Sequence, residues 1–281
     1  MGIFYLGLSY VSNQDSKHLK PQSPGILREL DRRAGKNRVW GSGPEGDAEN
    51  PGEGPLILTE GGGRPYFADG HADFSVSHSK GMMAVSYLGS PSADRRFRTG
   101  CDIQYQHPKR AYREIAAHFF HPLEREVLTE DGAGDEGLRA FYRLWVLKEA
   151  YLKIRGLSVF DLCRCPVFII GGQAGEKIPS GESRDGGEPG EGYFFPKKSG
   201  DGRDELLEFL LYETRGPAGD AYSLAVCRER DGGNSPTEPE LRWFSPEKLP
   251  LESIAKLNRL PSLQDTAYPA GGGEIRPAHY L

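Results

Sequence analysis

The stretch that most restricts the fold of this chain is a long helix predicted at residues 138–154, between two sets of short apolar segments. Its second half reads Trp145-Val-Leu-Lys148-Glu149-Ala-Tyr151-Leu-Lys153. Glu149 and Lys153 are four residues apart, so on a helix they share one face and place a carboxylate beside an ammonium group. Such a pair is most often a surface ion pair, and its meaning depends on what other segments bring to it.

The segments on either side of this helix predict strands and further helices. Before it, strands are predicted at residues 1–8, 74–77, 82–88 and 100–105, a hairpin turn at residues 78–81, and helices at residues 25–33, 112–120 and 124–128. After it, strands are predicted at residues 167–170, 206–212, 222–227 and 241–244, and a short helix at residues 251–260. This order favours an α+β fold of two similar-sized lobes.

We divide the chain of 281 residues into an N-terminal lobe (1–105), a C-terminal lobe (106–245) and a tail (246–281). Residues 41–55 combine Gly, Pro and acidic residues and predict a surface loop. Residues 171–204 are rich in Gly, Glu, Ser and Lys, and they predict a flexible insertion in the C-terminal lobe.

Charge and composition argue against several classes of protein. The net charge of −5 gives no general attraction to nucleic acid, so any phosphate must be bound by local basic groups. The apolar run at the N-terminus is too short to span a bilayer. The four cysteines lack the spacing of a structural zinc site, and they favour free thiols in a reducing compartment. We therefore expect a cytoplasmic protein that binds neither nucleic acid nor membranes.

The segment Gly100-Cys101-Asp102-Ile103-Gln104 predicts a strand with one apolar face and one polar face. Side chains alternate along a strand, so Asp102 and Gln104 point to the same side. Gly100 would allow a ligand or a second backbone to approach closely. An Asp inside a strand is unfavourable unless a ligand or partner group binds its carboxylate. The alternative is an edge-strand Asp that caps a helix near Pro108.

A second polar segment, Phe74-Ser-Val-Ser77-His78-Ser79, lies where a strand is predicted to end. Its hydroxyls, imidazole and N–H groups are suited to an anion, and a structural turn histidine is the alternative. No Gly-x-Ser-x-Gly elbow accompanies it, which argues against a serine nucleophile. Earlier in the chain, Gly63-Arg64-Pro65 predicts a rigid cationic turn.

Together these segments resemble the pseudodimeric 4′-phosphopantetheinyl transferases of the surfactin-synthetase-activating type. That family shows Gly-Lys-Pro, Phe-Asn-x-Ser-His-Ser, Gly-x-Asp-x-Glu, Phe-Phe-x-x-x-Glu and Trp-x-x-Lys-Glu-x-x-x-Lys in this order. The chain has Gly63-Arg64-Pro65, Phe74-Ser-Val-Ser77-His78-Ser79, Gly100-Cys-Asp102-Ile-Gln104, Phe119-Phe120-His-Pro-Leu-Glu124 and Trp145-Val-Leu-Lys148-Glu149-Ala-Tyr-Leu-Lys153. Each motif is weak alone, but five in the family's order are specific.

The resemblance implies two αβ lobes related by a pseudo-twofold axis in a monomer, with coenzyme A bound between them. The implied enzyme is of the holo-[acyl-carrier-protein] synthase type. It moves the phosphopantetheine arm of coenzyme A to a serine of an acyl or peptidyl carrier protein and releases adenosine 3′,5′-bisphosphate. The carrier's pathway, whether for fatty acids, polyketides or nonribosomal peptides, stays open.

The resemblance also implies roles for single residues. Asp102, Glu149 and Gln104 would hold Mg²⁺, and Glu149 would activate the carrier serine. Lys153 and His78 would hold the pyrophosphate of coenzyme A. The remaining contacts to coenzyme A would come from Ser77, from Arg64 and Pro65 at the adenine end, and from Arg28 at the 3′-phosphate.

Gln104 and Arg64 depart from the family's pattern. Gln104 replaces a carboxylate and removes one negative charge from the metal site, while Arg64 replaces a lysine and changes its reach. Two alternatives therefore stay open. The chain could be a non-catalytic module that binds coenzyme A or a carrier protein, or a metal-dependent phosphohydrolase using Asp102 and Glu149, although no further ligands for a two-metal site stand at suggestive spacing.

Overall fold

A computed structural model describes residues 4–10, 23–35, 57–60, 63–90, 96–129, 134–169, 193–195, 207–229, 239–244 and 255–260. The strands are β1 (Phe4–Tyr10), β2 (Ile57–Thr59), β3 (Pro65–Phe67), β4 (Ala72–Ser79), β5 (Met82–Gly89), β6 (Thr99–Tyr105), β7 (Val167–Ile169), β8 (Tyr193–Phe195), β9 (Leu207–Arg215), β10 (Ala221–Glu229), β11 (Glu240–Trp243) and β12 (Ala255–Leu260). The helices are α1 (Ser23–Arg33), α2 (Tyr112–Phe119), α3 (Pro122–Thr129) and α4 (Gly134–Arg155), and a 3₁₀ helix spans Val159–Arg164.

Two four-stranded sheets form the body of the protein. Sheet 1 has the strand order β11-β1-β5-β4, and sheet 2 has the order β12-β9-β10-β6. The pair β1–β11 is parallel, and the other pairs in both sheets are antiparallel. β4 and β6, which lie at the edges of different sheets, therefore have one free edge each within the described strands.

Three apolar cores follow from the alternation of side chains along these strands. The two sheets pack face to face through one core, which includes Leu6 and Leu8 of β1, Ala84 of β5, Ile103 of β6 and Leu224 of β10. A second core joins the outer face of sheet 1 to α1. A third joins the outer face of sheet 2 to the three helices α2, α3 and α4. The order of layers is therefore α1, sheet 1, sheet 2 and the second helical layer.

Gly100 allows α4 to lie directly on sheet 2. A Cβ atom at this position would lie 2.2 Å from the carbonyl oxygen of Ala150 and 2.8 Å from the backbone nitrogen of Ile154. Both atoms belong to the backbone of α4, so they have no side-chain freedom to move away. The close approach expected at Gly100 is therefore made by a second backbone.

Most elements predicted from the sequence are present, and the α+β class is confirmed. All four cysteines are free, and three of them are buried. Among the described helices, none is long and apolar enough to cross a membrane. The predicted loop at residues 41–55 and most of the predicted insertion at residues 171–204 lie outside the described residues.

The hairpin of β4 and β5 differs from the prediction in its turn. Only Lys80 and Gly81 form the turn, with φ angles of 39° and 82°. Positive φ at both central residues gives the tight two-residue connection whose twist suits antiparallel strands. His78 was predicted to lie in the turn, but it belongs to β4 and pairs with Met83 of β5.

Sheet membership crosses the predicted lobe boundaries at residues 105 and 245. β6 was assigned to the N-terminal lobe, but it pairs with β10 in sheet 2. β11 was assigned to the C-terminal lobe, but it pairs with β1 in sheet 1. The helix predicted in the tail is wrong over residues 255–260, which form β12 against β9. These strands are placed by partners distant in the sequence, which local patterns do not report.

Candidate active site

The predicted site residues meet where β6, α4 and the end of β4 come together. Asp102 lies on the face of β6 that packs against α4, while its neighbours Cys101 and Ile103 point into the core between the sheets. The alternation predicted for this strand is therefore confirmed. Asp102 is 2% exposed, so its carboxylate requires partners to offset the cost of burial.

Three side chains donate hydrogen bonds to the Asp102 carboxylate. The Ser77 hydroxyl donates to Oδ1 over 2.7 Å, and the Lys153 ammonium donates to the same oxygen over 2.9 Å. The Gln104 amide donates to Oδ2 over 3.2 Å. β4, α4 and β6 therefore each contribute one donor to a single carboxylate.

Glu149 lies one helical turn before Lys153 and is close enough to Asp102 for their charges to interact. Its pKa is raised from 4.5 to about 7, first because it is partly buried and then because the Asp102 carboxylate repels a second negative charge; Lys153 opposes this shift. Within the described residues, no group donates a hydrogen bond to the Glu149 carboxylate. Its oxygens are thus available to a ligand.

Lys153 stays protonated although its surroundings are partly apolar. Burial lowers its pKa, but the carboxylates of Asp102 and Glu149 outweigh this and raise the pKa above its usual value. Its side chain is 28% exposed, whereas that of Asp102 is 3% exposed. The ammonium therefore lies at the boundary between the buried carboxylate and solvent, where it is accessible to an anion.

Arg64 is almost fully buried, and its donors are used within the protein. The guanidinium pairs with Asp73 of β4, donates to the Thr99 carbonyl over 3.1 Å, and donates to the Lys153 carbonyl over 2.9 Å. A further contact of 3.3 Å reaches Glu60. Arg64 thereby holds the last turn of α4 against β4 and β6, and its predicted contact with coenzyme A would compete with these bonds.

The other predicted coenzyme A residues lie away from Asp102. His78 alternates with Ser77 along β4, so it points toward the side of sheet 1 that carries α1. Arg28 is on the exposed face of α1, and Pro65 is exposed at the start of β3. The structure therefore joins Ser77, Asp102, Gln104, Glu149 and Lys153 into one cluster and leaves His78, Arg28 and Pro65 outside it.

Two motif residues without a predicted role form a buried ion pair. Lys148 lies 2.9 Å from Glu124, with the two side chains 2% and 0% exposed. Glu124 also accepts hydrogen bonds from the N–H groups of Phe168 and His121, each over 2.8 Å. Through these contacts, Glu124 of α3 holds both Lys148 of α4 and the backbone of β7 in place. In the sequence, Glu124 ends one motif of the family and Lys148 lies inside another, and nothing there indicates that the two residues meet.

The donor set of the cluster fits a Mg²⁺ ion. Mg²⁺ commonly takes one or two carboxylates and completes its shell with water and substrate phosphate oxygens, and Asp102 with Glu149 supplies that number. Lys153 pairs with Asp102, while partial burial and the Asp102 charge raise the pKa of Glu149, so a cation bound beside Glu149 would be favourable. Within the described residues, no group of three or more His, Cys, Asp or Glu side chains forms a denser site.

A comparison with protein families covers the part of the chain that holds most of this cluster. Residues 98–185 match the model of the 4′-phosphopantetheinyl transferase superfamily. This part of the chain is similar to the 4′-phosphopantetheinyl transferase superfamily. The family predicted from the five motifs is therefore confirmed at this level, and the matched segment contains Asp102, Gln104, Glu149 and Lys153.

Individual members of the superfamily match over a similar length. A Haemophilus influenzae protein, provisionally named a 4′-phosphopantetheinyl transferase, is 35% identical over 100 residues, which cover 36% of this chain and 40% of that protein. The 4′-phosphopantetheinyl transferase HetI of Nostoc sp. is 32% identical over 106 residues, covering 36% of this chain and 41% of HetI. The 4′-phosphopantetheinyl transferase AcpT of Salmonella typhimurium is 33% identical over 101 residues, covering 36% and 49%. The chain thus spans less than half the length of these relatives, and the surfactin-synthetase-activating type stays a prediction.

Proposed function

We propose that this protein transfers the 4′-phosphopantetheine arm of coenzyme A to a serine of an acyl or peptidyl carrier protein in a Mg²⁺-dependent reaction. Adenosine 3′,5′-bisphosphate is the second product. The observation that carries the proposal is the cluster of Asp102, Glu149 and Lys153, which lies inside the segment that matches the superfamily. It combines two acidic ligands and one cation at a partly open position.

Glu149 is suited to accept the proton of the carrier serine. Burial and the Asp102 charge raise the pKa of Glu149 to about 7 in the metal-free protein, so its carboxylate has an unusual affinity for a proton. The same carboxylate also contributes to the metal site with Asp102 and Gln104. When bound there, Mg²⁺ would neutralise charge on the pyrophosphate of coenzyme A.

Lys153 is suited to bind a phosphate oxygen of the pyrophosphate. Its ammonium is held 2.9 Å from Asp102 and remains partly exposed. Phosphoryl transfer depends mainly on positioning and on neutralising negative charge, and a fixed ammonium does both. The proposed contacts to coenzyme A are His78, Pro65 and Arg28. Ser77 and Arg64 were also predicted to contact it, but their bonds within the protein favour a supporting role.

The proposed partner is a carrier protein, whose pathway stays open. The surface around α2 is cationic, since Lys109, Arg110 and Arg113 are exposed. A groove of about 370 Å³ between α2 and α3 is lined by Arg113, Arg125, Glu126 and apolar side chains. Acidic carrier surfaces would complement this charge.

We further propose a monomer with two lobes related by a pseudo-twofold axis, located in the cytoplasm.

The test is transfer to purified apo-carrier proteins of the fatty-acid, polyketide and nonribosomal-peptide types, read by intact mass. With coenzyme A and Mg²⁺, at least one carrier should gain the phosphopantetheine mass, and excess chelator should abolish the gain. Glu149→Gln removes a ligand charge and the proposed base together, so its turnover should fall by roughly 10³-fold or more. Lys153→Ala should lose roughly 10²–10³-fold, the cost of one fixed charge-stabilising group.

The competing candidate is a non-catalytic module, which Gln104 favours because it lacks the carboxylate usual at that position. That candidate predicts coenzyme A binding without transfer to any of the three carriers. Full activity of Glu149→Gln, or full activity in excess chelator, would contradict the proposed mechanism even if transfer were observed.

A further inference from the structure

β4 and β6 are joined by a regular series of side-chain hydrogen bonds. Four alternate residues of β4, here called the polar ladder, accept hydrogen bonds from four alternate N–H groups of β6. Asp73, Ser75, Ser77 and Ser79 accept from Thr99, Cys101, Ile103 and Tyr105 over 2.8, 3.1, 3.3 and 3.0 Å, always 26 residues apart. The ladder satisfies N–H groups at the edge of sheet 2 that would otherwise be unpaired beside the core.

Ser77 differs from the other two serines of the ladder. In addition to accepting from Ile103, its hydroxyl donates to Oδ1 of Asp102 over 2.7 Å, and both side chains are buried. Among the hydrogen bonds of the described residues, the Ser79 hydroxyl makes only the contact to the β6 backbone. Ser75 also accepts a hydrogen bond from the Cys101 thiol at its carbonyl over 3.3 Å, and neither serine bonds to Asp102. The Ser77 hydroxyl is therefore fixed at both ends, with its proton directed at the carboxylate.

This contact defines how the Asp102 carboxylate is turned. Ser77 and Lys153 both donate to Oδ1, while Gln104 donates to Oδ2. Lys153 is on a long side chain that is 28% exposed, so it can move when a cation or phosphate arrives. Ser77 is on a buried strand with its hydroxyl held by Ile103, so its contact persists when the lysine moves.

We propose that Ser77 is a positioning residue that orients Asp102 for metal binding, and that its hydroxyl serves the carboxylate instead of contacting coenzyme A. The inference rests on the proposed function for the identity of the metal, but it concerns an interaction made within this chain. Hydrogen-bond partners that orient a metal ligand commonly change metal affinity by 10–100-fold when removed. Removing the Ser77 hydroxyl should therefore weaken metal binding.

The test compares Ser77→Ala with Ser75→Ala and Ser79→Ala in the full chain. Each variant loses one contact of the ladder, but only Ser77→Ala loses the contact to Asp102. Mn²⁺ is titrated into each protein, alone and with coenzyme A, and free Mn²⁺ is measured by electron paramagnetic resonance. Ser77→Ala should bind Mn²⁺ roughly tenfold or more weakly, while Ser75→Ala and Ser79→Ala should stay within about twofold of the wild type. Urea unfolding of the three variants measures the structural cost of the lost contact.

Ser77→Thr keeps the hydroxyl and should retain Mn²⁺ affinity. Equal loss of affinity in all three alanine variants would overturn the proposal, as would wild-type affinity in Ser77→Ala, or a wild-type protein that binds no Mn²⁺ in either titration. A folded Ser77→Thr variant as weak as Ser77→Ala would overturn it as well. The outcome is separable from the proposed function, because Mn²⁺ binding needs no carrier. A selective loss in Ser77→Ala without any carrier modification would support this inference and count against the transferase.

Discussion

Asp102 accepts hydrogen bonds from β4, α4 and its own strand. Because these donors stabilise the ionised Asp102 carboxylate, they also affect whether the neighbouring Glu149 is protonated. Lys153 neutralises the Asp102 carboxylate, and the Glu149 carboxylate has no cation paired with it among the described residues. Without a metal ion, a proton on Glu149 is the available compensation. The raised pKa of Glu149 is therefore a property of the arrangement of three residues, and a divalent cation would replace the proton.

The free energy of unfolding should depend on pH through Glu149. Because its pKa is about 7 in the folded protein and 4.5 as the reference value, the folded state binds the proton more tightly. Stability from this group is then present below pH 4.5 and is lost as pH rises toward 7. The loss is at most about 3 kcal/mol, and Glu149→Gln should lack it. Urea unfolding in chelator between pH 5 and 8 measures both proteins.

The same proton should compete with the metal. At low Mg²⁺ concentration the rate of carrier modification should rise through about pH 7, and more Mg²⁺ should shift that rise to lower pH. If Glu149→Gln shows the same pH dependence of stability as the wild type, then Glu149 is not the group that titrates. The raised pKa would in that case have no role in the cluster.

At the scale of elements, α4 positions the site because it lies unusually close to β6. Gly100 makes this approach possible, and the close packing sets the distance of Glu149 and Lys153 on α4 from Asp102 on β6. The sequence predicted the helix, the strand and the close approach at Gly100, since each leaves a local signal. It also predicted the alternation that puts Asp102 and Gln104 on one face of β6.

Gly100→Ala should separate the two elements. Its Cβ would meet two backbone atoms of α4 at 2.2 and 2.8 Å, so the helix has to shift. We expect a loss of stability of about 3 kcal/mol or more, because overpacking against backbone is hard to relieve. Turnover should fall by roughly 10²-fold, since small displacements of reacting groups are costly.

Gly25→Ala is the matched control, because a Cβ at that position of α1 meets no atom within 4 Å. It should leave activity unchanged and stability equal to the wild type or up to about 1 kcal/mol higher. Urea unfolding and carrier modification measure both variants. A Gly100→Ala protein as stable and as active as the Gly25→Ala protein would show that α4 does not depend on this contact.

Other features of the elements left no local signal. His78 was predicted to lie in a turn, because nothing in the sequence indicates that Lys80 tolerates a positive φ and shortens the turn to two residues. The Lys80 carbonyl accepts a hydrogen bond from Tyr222 over 2.7 Å, and its ammonium pairs with Asp220 over 3.0 Å. The turn is thus fixed by sheet 2, more than 100 residues away in sequence. Likewise, β12 is a strand because β9 offers it an edge.

At the scale of the whole molecule, the two sheets are parts of one structure because the chain crosses between them repeatedly. Sheet 1 contains β11, which follows three strands of sheet 2 in sequence order. Sheet 2 contains β6, which follows three strands of sheet 1. Lobe boundaries drawn from the order of elements could not anticipate this, because strand pairing depends on contacts between distant residues. Arg64 shows the same limit, because its motif indicates a positive charge but not the bonds to Asp73, Thr99 and Lys153.

This interleaving predicts that both sheets unfold as one cooperative unit. The core between the sheets, the polar ladder and the contacts of Lys80 would all be lost if either sheet opened alone. Amide hydrogen exchange should then give the same free energy of opening for the slowest amides of β5 and β10, which are central in sheet 1 and sheet 2. Mass spectrometry of peptides from each strand provides the measurement.

Val85→Ala makes this test specific, because Val85 lies on the α1 side of β5 and belongs to the core that excludes sheet 2. Deleting its buried methyl groups should cost roughly 2 kcal/mol, and a cooperative molecule loses that amount everywhere. Protection of β10 should therefore fall by as much as protection of β5, although no atom near β10 has changed. If β5 loses protection and β10 keeps it, sheet 1 opens independently of sheet 2. The polar ladder would then be a contact between separate units, and Ser77 would leave Asp102 whenever sheet 1 opened.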